Sequence, residues 1–269
     1  SSDGGPLQSL FGVWGSDASN LWVVGEAGAI LKWNGAAFVA QSSGTTQTLY
    51  GVWGSDASNI WAVGTGGTIL KWNGTAWTAQ PSGVTTTLSA VWGSDAGNVW
   101  AAGAGGTILH LSGGAWTAVS SGITSGLYGL WGTDANNLWA VGSLGTILHW
   151  DGTSWAAGVS GTGQLLTAVW GSGASSVWAV GSGGTVLKWN GAAWAAQASG
   201  TTQQLTGVWG SDGSNLWATG YGGVLLKGNG SSWTTLASGS SQALSAVWGT
   251  DSVNVWTVGS QGTVLQHVP

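Results

Sequence analysis

Short apolar runs alternate with clusters of turn-forming residues along the chain, and no stretch has the period of an amphipathic helix. Between residues 49 and 80 the apolar runs are LYGVWGS (49–55), IWAVG (60–64), TILKW (68–72) and TAWTAQ (75–80). They are separated by DASN, by a Gly-Gly turn and by Asn-Gly, which is the strongest short hairpin signal. This pattern predicts four short antiparallel strands.

The same pattern returns seven times without insertion or deletion. The Trp of the Trp-Gly pair and the Trp of the second strand each recur every 39 residues, the former at 14, 53, 92, 131, 170, 209 and 248. A fixed period of this length is typical of solenoids, propellers and arrays. The sequence therefore predicts an all-β fold, a seven-bladed β-propeller that spans residues 1–269 as a single domain, with a β-helix as the main rival.

Two details of this propeller follow from the repeats. The last repeat ends in GTVLQHVP, directly after its third strand, so the last blade is expected to lack its outer strand. Trp14 and Trp22 have an equivalent in every repeat, which predicts that both rings are buried between blades.

The stretch DANNLWAVGSLGTILHWDGTSW (134–155) resembles BNR/Asp-box-like propellers, including photosystem-assembly factors of the Ycf48 type. Over all seven repeats the chain more closely resembles Trp-rich VWGS/WAVG/GTILHWDG repeats of large bacterial, notably myxobacterial, proteins, and it is similar in plan to propeller lectins. The resemblance implies the fold and little about activity. An Asp box also needs Ser-x-Asp-x-Gly before the final Trp, and KWNGTAW (71–77) departs from it.

Composition excludes several classes of partner. Only 5 % of the residues are charged, Arg is absent and the net charge is −5, which argues against nucleic acid and against a polybasic membrane contact. No apolar run is long enough for membrane insertion, and with no Cys there is no disulfide or Cys-ligated metal. No cofactor is expected. The Trp-rich, Ser/Thr/Gly-rich composition favours an exported or extracellular protein, and the SSDGGPL start suggests a processed or trimmed form.

A ring of carboxylates comes from one repeat position: Asp17, Asp56, Asp95, Asp134, Asp212 and Asp251, with Gly173 in the fifth repeat. Each is predicted to form an Asx turn between the first two strands. The alternative is that these carboxylates bind the hydroxyl groups of a ligand. A calcium ring is disfavoured because one carboxylate per repeat is a poor cage for that ion.

The candidate ligand site lies at the end of the third strand, where a cation, a Trp and an Asn or Asp are consecutive. Because strand residues alternate in direction, the Trp of one blade would share a ligand with the polar groups of its neighbour. Packing is the favoured role of these Trp, and the alternative, on which the ligand-site hypothesis depends, is that some are exposed and stack on a sugar. The candidates are Lys32, Trp33, Asn34, Lys71, Trp72, Asn73, His149, Trp150, Asp151, Lys188, Trp189 and Asn190.

Catalysis has little support in the sequence. His110, His149 and His267 belong to separate repeats, and Glu26 is the only Glu. The leading hypothesis is a non-enzymatic, multivalent, lectin-like propeller that binds glycans between or at the edges of its blades. The alternative is a structural or protein-interaction module of a larger exported protein, and the third hypothesis is an Asp-box-type hydrolase.

Overall fold

A computed structural model describes residues 8–267 and consists of seven antiparallel sheets, which we number as blades in chain order. In the first four blades the strands are β1 (Leu10–Asp17), β2 (Asn20–Gly25), β3 (Ile30–Trp33), β4 (Phe38–Ala40); β5 (Leu49–Asp56), β6 (Asn59–Gly64), β7 (Ile69–Trp72), β8 (Trp77–Gln80); β9 (Leu88–Asp95), β10 (Asn98–Gly103), β11 (Ile108–Ser112), β12 (Ala115–Ala118); and β13 (Leu127–Asp134), β14 (Asn137–Gly142), β15 (Ile147–Trp150), β16 (Trp155–Gly158).

In the last three blades the strands are β17 (Leu166–Gly173), β18 (Ser176–Gly181), β19 (Val186–Trp189), β20 (Trp194–Gln197); β21 (Leu205–Asp212), β22 (Asn215–Gly220), β23 (Leu225–Gly228), β24 (Trp233–Leu236); and β25 (Leu244–Gly249), β26 (Val255–Gly259), β27 (Val264–His267).

The blades close into a ring through their first strands. Each first strand contacts the first strand of the next blade, and β25 of blade 7 contacts β1 of blade 1. Within a blade the strands follow in chain order from the axis outward. The predicted seven-bladed β-propeller is confirmed, and blade 7 has three strands within the described residues, as expected from the last repeat.

The hydrophobic core lies between adjacent blades rather than inside one blade. Trp22, Val24 and Ile30 of blade 1 form one buried cluster with residues of blade 2, including Leu49 and Trp72. Each blade thus covers the apolar face of its neighbour, which explains why a repeat this short cannot fold alone.

The two Trp rings differ in burial, which corrects one prediction. The second-strand indoles are buried, with exposed fractions between 0 and 7 %: Trp22, Trp61, Trp100, Trp139, Trp178, Trp217 and Trp256. The first-strand indoles of the Trp14 type are only half-buried, so that part of the prediction is wrong. Their rings contact the Gly of the next blade, but they are not fully enclosed between two blades as the second-strand indoles are.

The invariant Gly after the first-strand Trp has a packing role. The indole of Trp14 reaches across to blade 2, where a Cβ added at Gly54 would lie 2.6 Å from its Cη2 atom. The same contact links Trp53 to Gly93, where the added Cβ would lie 2.7 Å away. The Trp-Gly pair therefore packs as one unit. Its Trp contacts the next blade, and its Gly leaves space for the Trp ring of the previous blade.

Every first strand has a bulge near its beginning. In β1, Leu10 pairs with Gly25 and Gly12 with Val24, so Phe11 is left without a partner on β2. The same register shift occurs in the other six blades. A bulge re-aims the side chain of the extra residue, and here the seven extra residues are directed to the axis.

The turns form two opposite faces. One, which we call the Asp face, contains the turns between first and second strands (17–20 and equivalents) and between third and fourth strands (34–37 and equivalents). The other, the mouth face, contains the 3-10 turns after each second strand, such as Thr65–Gly67, and the loops that connect blades. Of the acidic residues described, all but Glu26 lie in turns of the Asp face. No helix within residues 8–267 is long and apolar enough to cross a bilayer.

The Trp-Gly packing predicts the effect of adding one methyl group. In Gly93→Ala the new Cβ would lie 2.7 Å from Asn98 O and from the indole of Trp53. We expect the free energy of unfolding to fall by about 1–3 kcal/mol, as for overpacked cores, and urea denaturation measures it. The control is Gly163→Ala, whose Cβ would meet no heavy atom within 4 Å. Equal effects of the two changes would contradict the packing role.

Candidate functional site

The Asp ring builds turns, as predicted. Asp17 Oδ1 accepts a hydrogen bond from the Ser19 N–H at 2.7 Å, and its Oδ2 accepts one from Asn20 Nδ2 at 2.8 Å. These hydrogen bonds, the one from the Asn20 side chain above all, hold the pKa of the Asp17 carboxyl below its usual value. The carboxylates are ionised and engaged within their own turns.

The polar residues that end the third strands also serve turns. Asn73 Oδ1 accepts hydrogen bonds from the backbone N–H groups of Thr75 and Ala76, both at 3.0 Å. Asp151 Oδ1 accepts a hydrogen bond from the Thr153 hydroxyl and the equivalent backbone bonds at 2.9 Å, and these lower the pKa of the Asp151 carboxyl to about 2. Asn34 and Asn190 have the same geometry. These four side chains are exposed, but the oxygen that would bind a ligand already accepts hydrogen bonds from the backbone of its own turn.

The cations of the third strand lie over indoles. Lys32 is directly opposite Trp22 on the neighbouring strand, and its Nζ is 5.0 Å from the centre of that ring. Lys71 and Lys188 have the same distance to Trp61 and Trp178. A cation over an indole face is stabilised by the ring quadrupole.

In two blades a His takes the place of the Lys. The imidazole of His149 lies 4.2 Å from the ring of Trp139, and that of His110 stacks 3.9 Å from the ring of Trp100. Burial lowers the pKa of both imidazoles. The position therefore takes either a charged or a neutral partner for the indole.

The variable Trp of the third and fourth strands are not exposed, which agrees with packing and not with the exposure that the ligand-site hypothesis needs. Trp72 is 7 % exposed, and its ring lies 4.8 Å from Trp22 of blade 1. Trp77 meets the same indole edge-on at 5.3 Å. Trp33, Trp150 and Trp189 are half-buried. The reason is that these rings pack against second-strand indoles of the preceding blade, as Trp72 and Trp77 do on Trp22 and Trp189 does on Trp139, a contact that we call the indole seam.

The structure brings some of the site candidates together across this seam. Lys32 Nζ of blade 1 lies 5.6 Å from the ring of Trp72 in blade 2, so an indole and a cation from adjacent blades do meet. His149 and Trp189 both pack on Trp139. In the next seam Lys188 faces no third-strand Trp, and its Nζ donates to Gly230 O at 2.8 Å. Whether any seam binds a sugar stays a prediction.

A different site lies on the axis, where sequence reasoning did not place one. A cavity of about 590 Å³ opens at the mouth face and receives one residue from each of the seven first strands. These are the bulged residues: Phe11, Tyr50, Ser89, Tyr128, Thr167, Thr206 and Ser245. None of the described residues that line it is charged.

The side chains that line the cavity are distributed asymmetrically around the axis. Phe11 and Tyr50 lie side by side with ring centres 5.2 Å apart, and Tyr128 follows two blades further on with 41 % of its surface exposed. On the opposite side Thr167 and Thr206 present hydroxyl groups that donate to the carbonyls of Leu205 and Leu244 in the next blade. Each hydroxyl also lies 3.1 Å from a carbonyl oxygen of its own blade, Val180 O for Thr167 and Thr219 O for Thr206, so both hydroxyl groups are engaged with the backbone.

The signal that could have located this cavity is in the repeats themselves. Leu10 and Trp14 have an identical residue in every repeat, whereas the position of Phe11 between them is Phe, Tyr, Ser or Thr. The position of Glu26, on the same face, varies equally and includes Tyr221, which also lines the cavity. The predicted site rested on the variable third-strand Trp such as Trp72, and the equal variation at the position of Phe11 was not used.

Comparison with known proteins supports the fold. No protein-family model matches the sequence, and no curated protein matches it. Among solved structures, YCF48 bound to D1 peptide has a TM-score of 0.80 at 15 % identity, covering 98 % of this chain and 93 % of that chain. YCF48 from Cyanidioschyzon merolae has a TM-score of 0.77 at 18 % identity, covering 98 % and 97 %.

The WD40 β-propeller domain of Doa1 is also similar, with a TM-score of 0.81 at 12 % identity, covering 97 % of this chain and 92 % of that chain. At these identities the likeness shows the fold. The predicted relation to Ycf48-type propellers is thus supported at the level of the propeller, and the relation to myxobacterial repeats and to lectins stays a prediction.

Burial of Trp72 predicts a loss of stability on its removal. Trp72→Ala deletes an indole in contact with Trp22 and Lys32, so we expect the free energy of unfolding to fall by about 3–5 kcal/mol. The control is Trp33→Ala, which removes a half-buried ring packed on Phe38 and is expected to cost less. Urea denaturation compares the two. An unchanged stability of Trp72→Ala combined with loss of sugar binding would favour the lectin hypothesis.

The buried imidazole predicts a pH dependence. Since burial lowers the pKa of His110 below its ordinary 6.5, the unfolded chain takes up a proton there before the folded chain does. Stability is therefore expected to fall as the pH drops through about 6.5. The carboxylates with lowered pKa lose their contribution only in more acidic solution, below about pH 4.

His110→Gln places at this position the residue that blade 7 carries as Gln266. Urea denaturation at pH 7.5 and at pH 5.5 should show a smaller difference in unfolding free energy for this variant than for the wild type. His149 and His267 account for the remainder. A variant that keeps the full wild-type difference would contradict the assignment.

Proposed function

We propose that this protein is a protein-interaction module that binds an uncharged, extended segment of a partner polypeptide in the axial cavity. The observation that carries this proposal is the asymmetry of the bulged residues in a chain that otherwise repeats itself closely. Fold stability alone would be met by seven equal residues at that position. Among the bulged residues the aromatic side chains belong to blades 1, 2 and 4 and the threonines to blades 5 and 6, where Tyr221 adds one further ring, and such an uneven lining suits one ligand in one orientation.

The chemistry of the two sides fits a peptide. The rings of Phe11, Tyr50 and Tyr128 offer apolar area at little cost in side-chain entropy, as aromatic residues do at interfaces. Thr167 and Thr206 line the other side of the cavity with small side chains, whose hydroxyl groups are engaged with backbone carbonyls. A volume of about 590 Å³ lies in the range of ligand sites.

One neighbour supports the same reading. The structure with the printed description "YCF48 bound to D1 peptide" is a propeller of similar shape with a peptide bound. At 15 % identity the site is not transferred residue by residue. The proposal for this chain rests on its own cavity.

The other two functional hypotheses fit the structure less well. The lectin-like hypothesis needs accessible indoles, and the seam indoles are buried or half-buried. The Asp-box hydrolase needs carboxylates at the reaction site, and the described lining of the axial cavity contains none. Glycan binding at Trp33, Trp150 and Trp189 remains a proposal that a glycan array can test.

A peptide selection tests the axial site. A phage-displayed library of random peptides is selected on the wild-type chain, and the enriched peptides are measured by titration calorimetry. The test variant is Phe11→Ser, Tyr50→Ser, Tyr128→Ser, which repeats the residue that blade 3 carries as Ser89. We expect the melting temperature to stay close to the wild-type value and the affinity for the enriched peptides to fall at least about tenfold.

The matched control lies on the Asp face. Asp56→Gly places in blade 2 the residue that blade 5 carries as Gly173, and it should leave peptide affinity unchanged. Enriched peptides that bind the triple variant as tightly as the wild type would refute the axial site. A selection that yields no binder, together with glycan binding on the array, would favour the lectin-like hypothesis over peptide binding.

A further inference from the structure

The two most exposed large apolar side chains among the described residues both belong to blade 4. Val159 is 87 % exposed and Leu144 is 78 % exposed, whereas the other large apolar side chains of residues 8–267 reach at most 49 %. Leu144 lies in a 3-10 turn and Val159 in the loop after β16, so both are on the mouth face. Tyr128 of the same blade is 41 % exposed and lines the axial cavity. Three such side chains on one face of one blade form an apolar patch.

The backbone at Leu144 makes the presence of this side chain unfavourable. Leu144 is the middle residue of its turn and has φ 56° and ψ 34°, in the left-handed region. The equivalent residue is Gly in four blades, as in Gly105 with φ 65°, and it is Ala27 or Gln261 in the other two. Gly adopts this conformation without steric cost, and a Leu does not. Because the Leu144 side chain is exposed, burial does not offset that strain.

Local contacts connect the three side chains from the axis outward. The hydroxyl of the serine before Leu144 donates to the Tyr128 hydroxyl at 3.4 Å. On the other side of the turn, a Cβ added at Gly145 would lie 2.8 Å from Ser160 Oγ. Leu144 therefore lies between Tyr128 and the loop that begins at Val159. We call these three apolar side chains, Tyr128, Leu144 and Val159, the apolar track.

The spacing along the apolar track matches an extended peptide. Neighbouring strands lie about 4.8 Å apart, so a track that crosses blade 4 from β13 to the loop after β16 is about 14 Å long. Leu144 is near its middle, at the turn between β14 and β15. Each half of the track is thus about 7 Å, which is the distance between alternate side chains of an extended chain. Alternate side chains of such a chain point to the same side.

The stability of a blade does not require the apolar track. Blades 1 to 3, 5 and 6 have Ala or Gly in place of Leu144, and Ser, Pro or Ala in place of Val159. These blades form the same four strands. Residues 143–145 and 158–162, from which the track projects, contain no charged side chain. The track is therefore an added, uncharged surface that is continuous with the cavity through Tyr128.

We propose that the apolar track is a docking surface for the partner polypeptide, whose extended segment leaves the axial cavity past Tyr128 and crosses blade 4 with apolar side chains at alternate positions. This inference rests on the proposed function, because Tyr128 belongs to both the cavity and the track. It adds the path of the segment, over the fourth of seven blades. Covering Leu144 and Val159 removes apolar surface from water, which contributes to affinity.

The track variant is Leu144→Gly, Val159→Ser, which copies the residues that blade 3 carries as Gly105 and Ser120. Since Gly removes the strain at position 144 and Val159 is exposed, we expect a melting temperature equal to or above that of the wild type. The matched control is Val39→Ser, which removes an apolar side chain with 44 % of its surface exposed on the outer strand β4 of blade 1.

The probe is a phage-displayed library of random peptides longer than the track, selected on the wild-type chain. Titration calorimetry then compares the enriched peptides on each variant. We expect the track variant to lose at least about tenfold in affinity and the control variant to keep the wild-type affinity. Equal affinities of the track variant and the wild type, an equal loss in the control, or a selection without binders would overturn the track.

A cavity variant separates this inference from the proposed function. Phe11→Ser, Tyr50→Ser removes two rings of the cavity and leaves the track intact, and we expect it to weaken the same peptides. A loss of affinity in the cavity variant alone would refute the track and keep the axial site. A loss in the track variant alone would refute the axial site and keep the track as a docking surface.

Two further measurements test other occupants of the apolar track. Wild-type dimers in light scattering that the track variant does not form would assign the track to a second copy of the chain. Sedimentation of the wild type, but not of the track variant, with vesicles of phosphatidylcholine would assign it to a lipid surface. Either result would overturn the assignment to a partner segment.

Discussion

The contact on which the ring depends is the burial of the second-strand Trp between blades, which in Trp22, Trp100 and Trp139 takes the form of the indole seam with aromatic residues of the next blade. Trp22, Trp61 and Trp178 are completely buried, although each belongs to a blade that offers only part of its cover. Burying an indole is strongly favourable, but no single blade can do it. These indoles are buried only when the neighbouring blade is in place. Closure of the ring provides a neighbour for every blade.

Trp-Gly adds a second contact of the same kind nearer the axis. The Trp14 ring crosses to Gly54, and this close approach excludes any side chain at that Gly. Between them the two Trp determine the distance and angle between successive blades. This is why the two Trp and the Gly do not vary among the repeats, while the residues between them do.

A closed ring also produces a surface that no blade has alone. Seven bulged residues meet around one axis, and they are free to differ because they support no seam. The chain uses this freedom to make one side aromatic and the other side rich in hydroxyl groups. All described carboxylates except that of Glu26 are placed on the opposite face, where they build turns. The described residues that line the cavity are uncharged, which determines the kind of ligand it suits.

Much of the architecture could be predicted from the sequence because it is local. The 39-residue period, the four strands of a repeat, the Asx turns of Asp17 and its equivalents, and the missing outer strand of blade 7 all follow from spacing and turn chemistry. Burial could not be predicted in the same way. Trp72 is buried and Trp14 is half-buried, although both belong to strands of similar composition.

The sequence by itself determined the number of blades, the order of strands and the places where the chain turns, because these depend on residues close together along it. Only the tertiary structure decided which indole is covered, where Lys32 and Trp72 meet, and that Phe11 and Thr167 face each other across one cavity. These relations join residues that are far apart in the chain. They arise when the ring closes, because closure brings different blades to one seam and all blades to one axis.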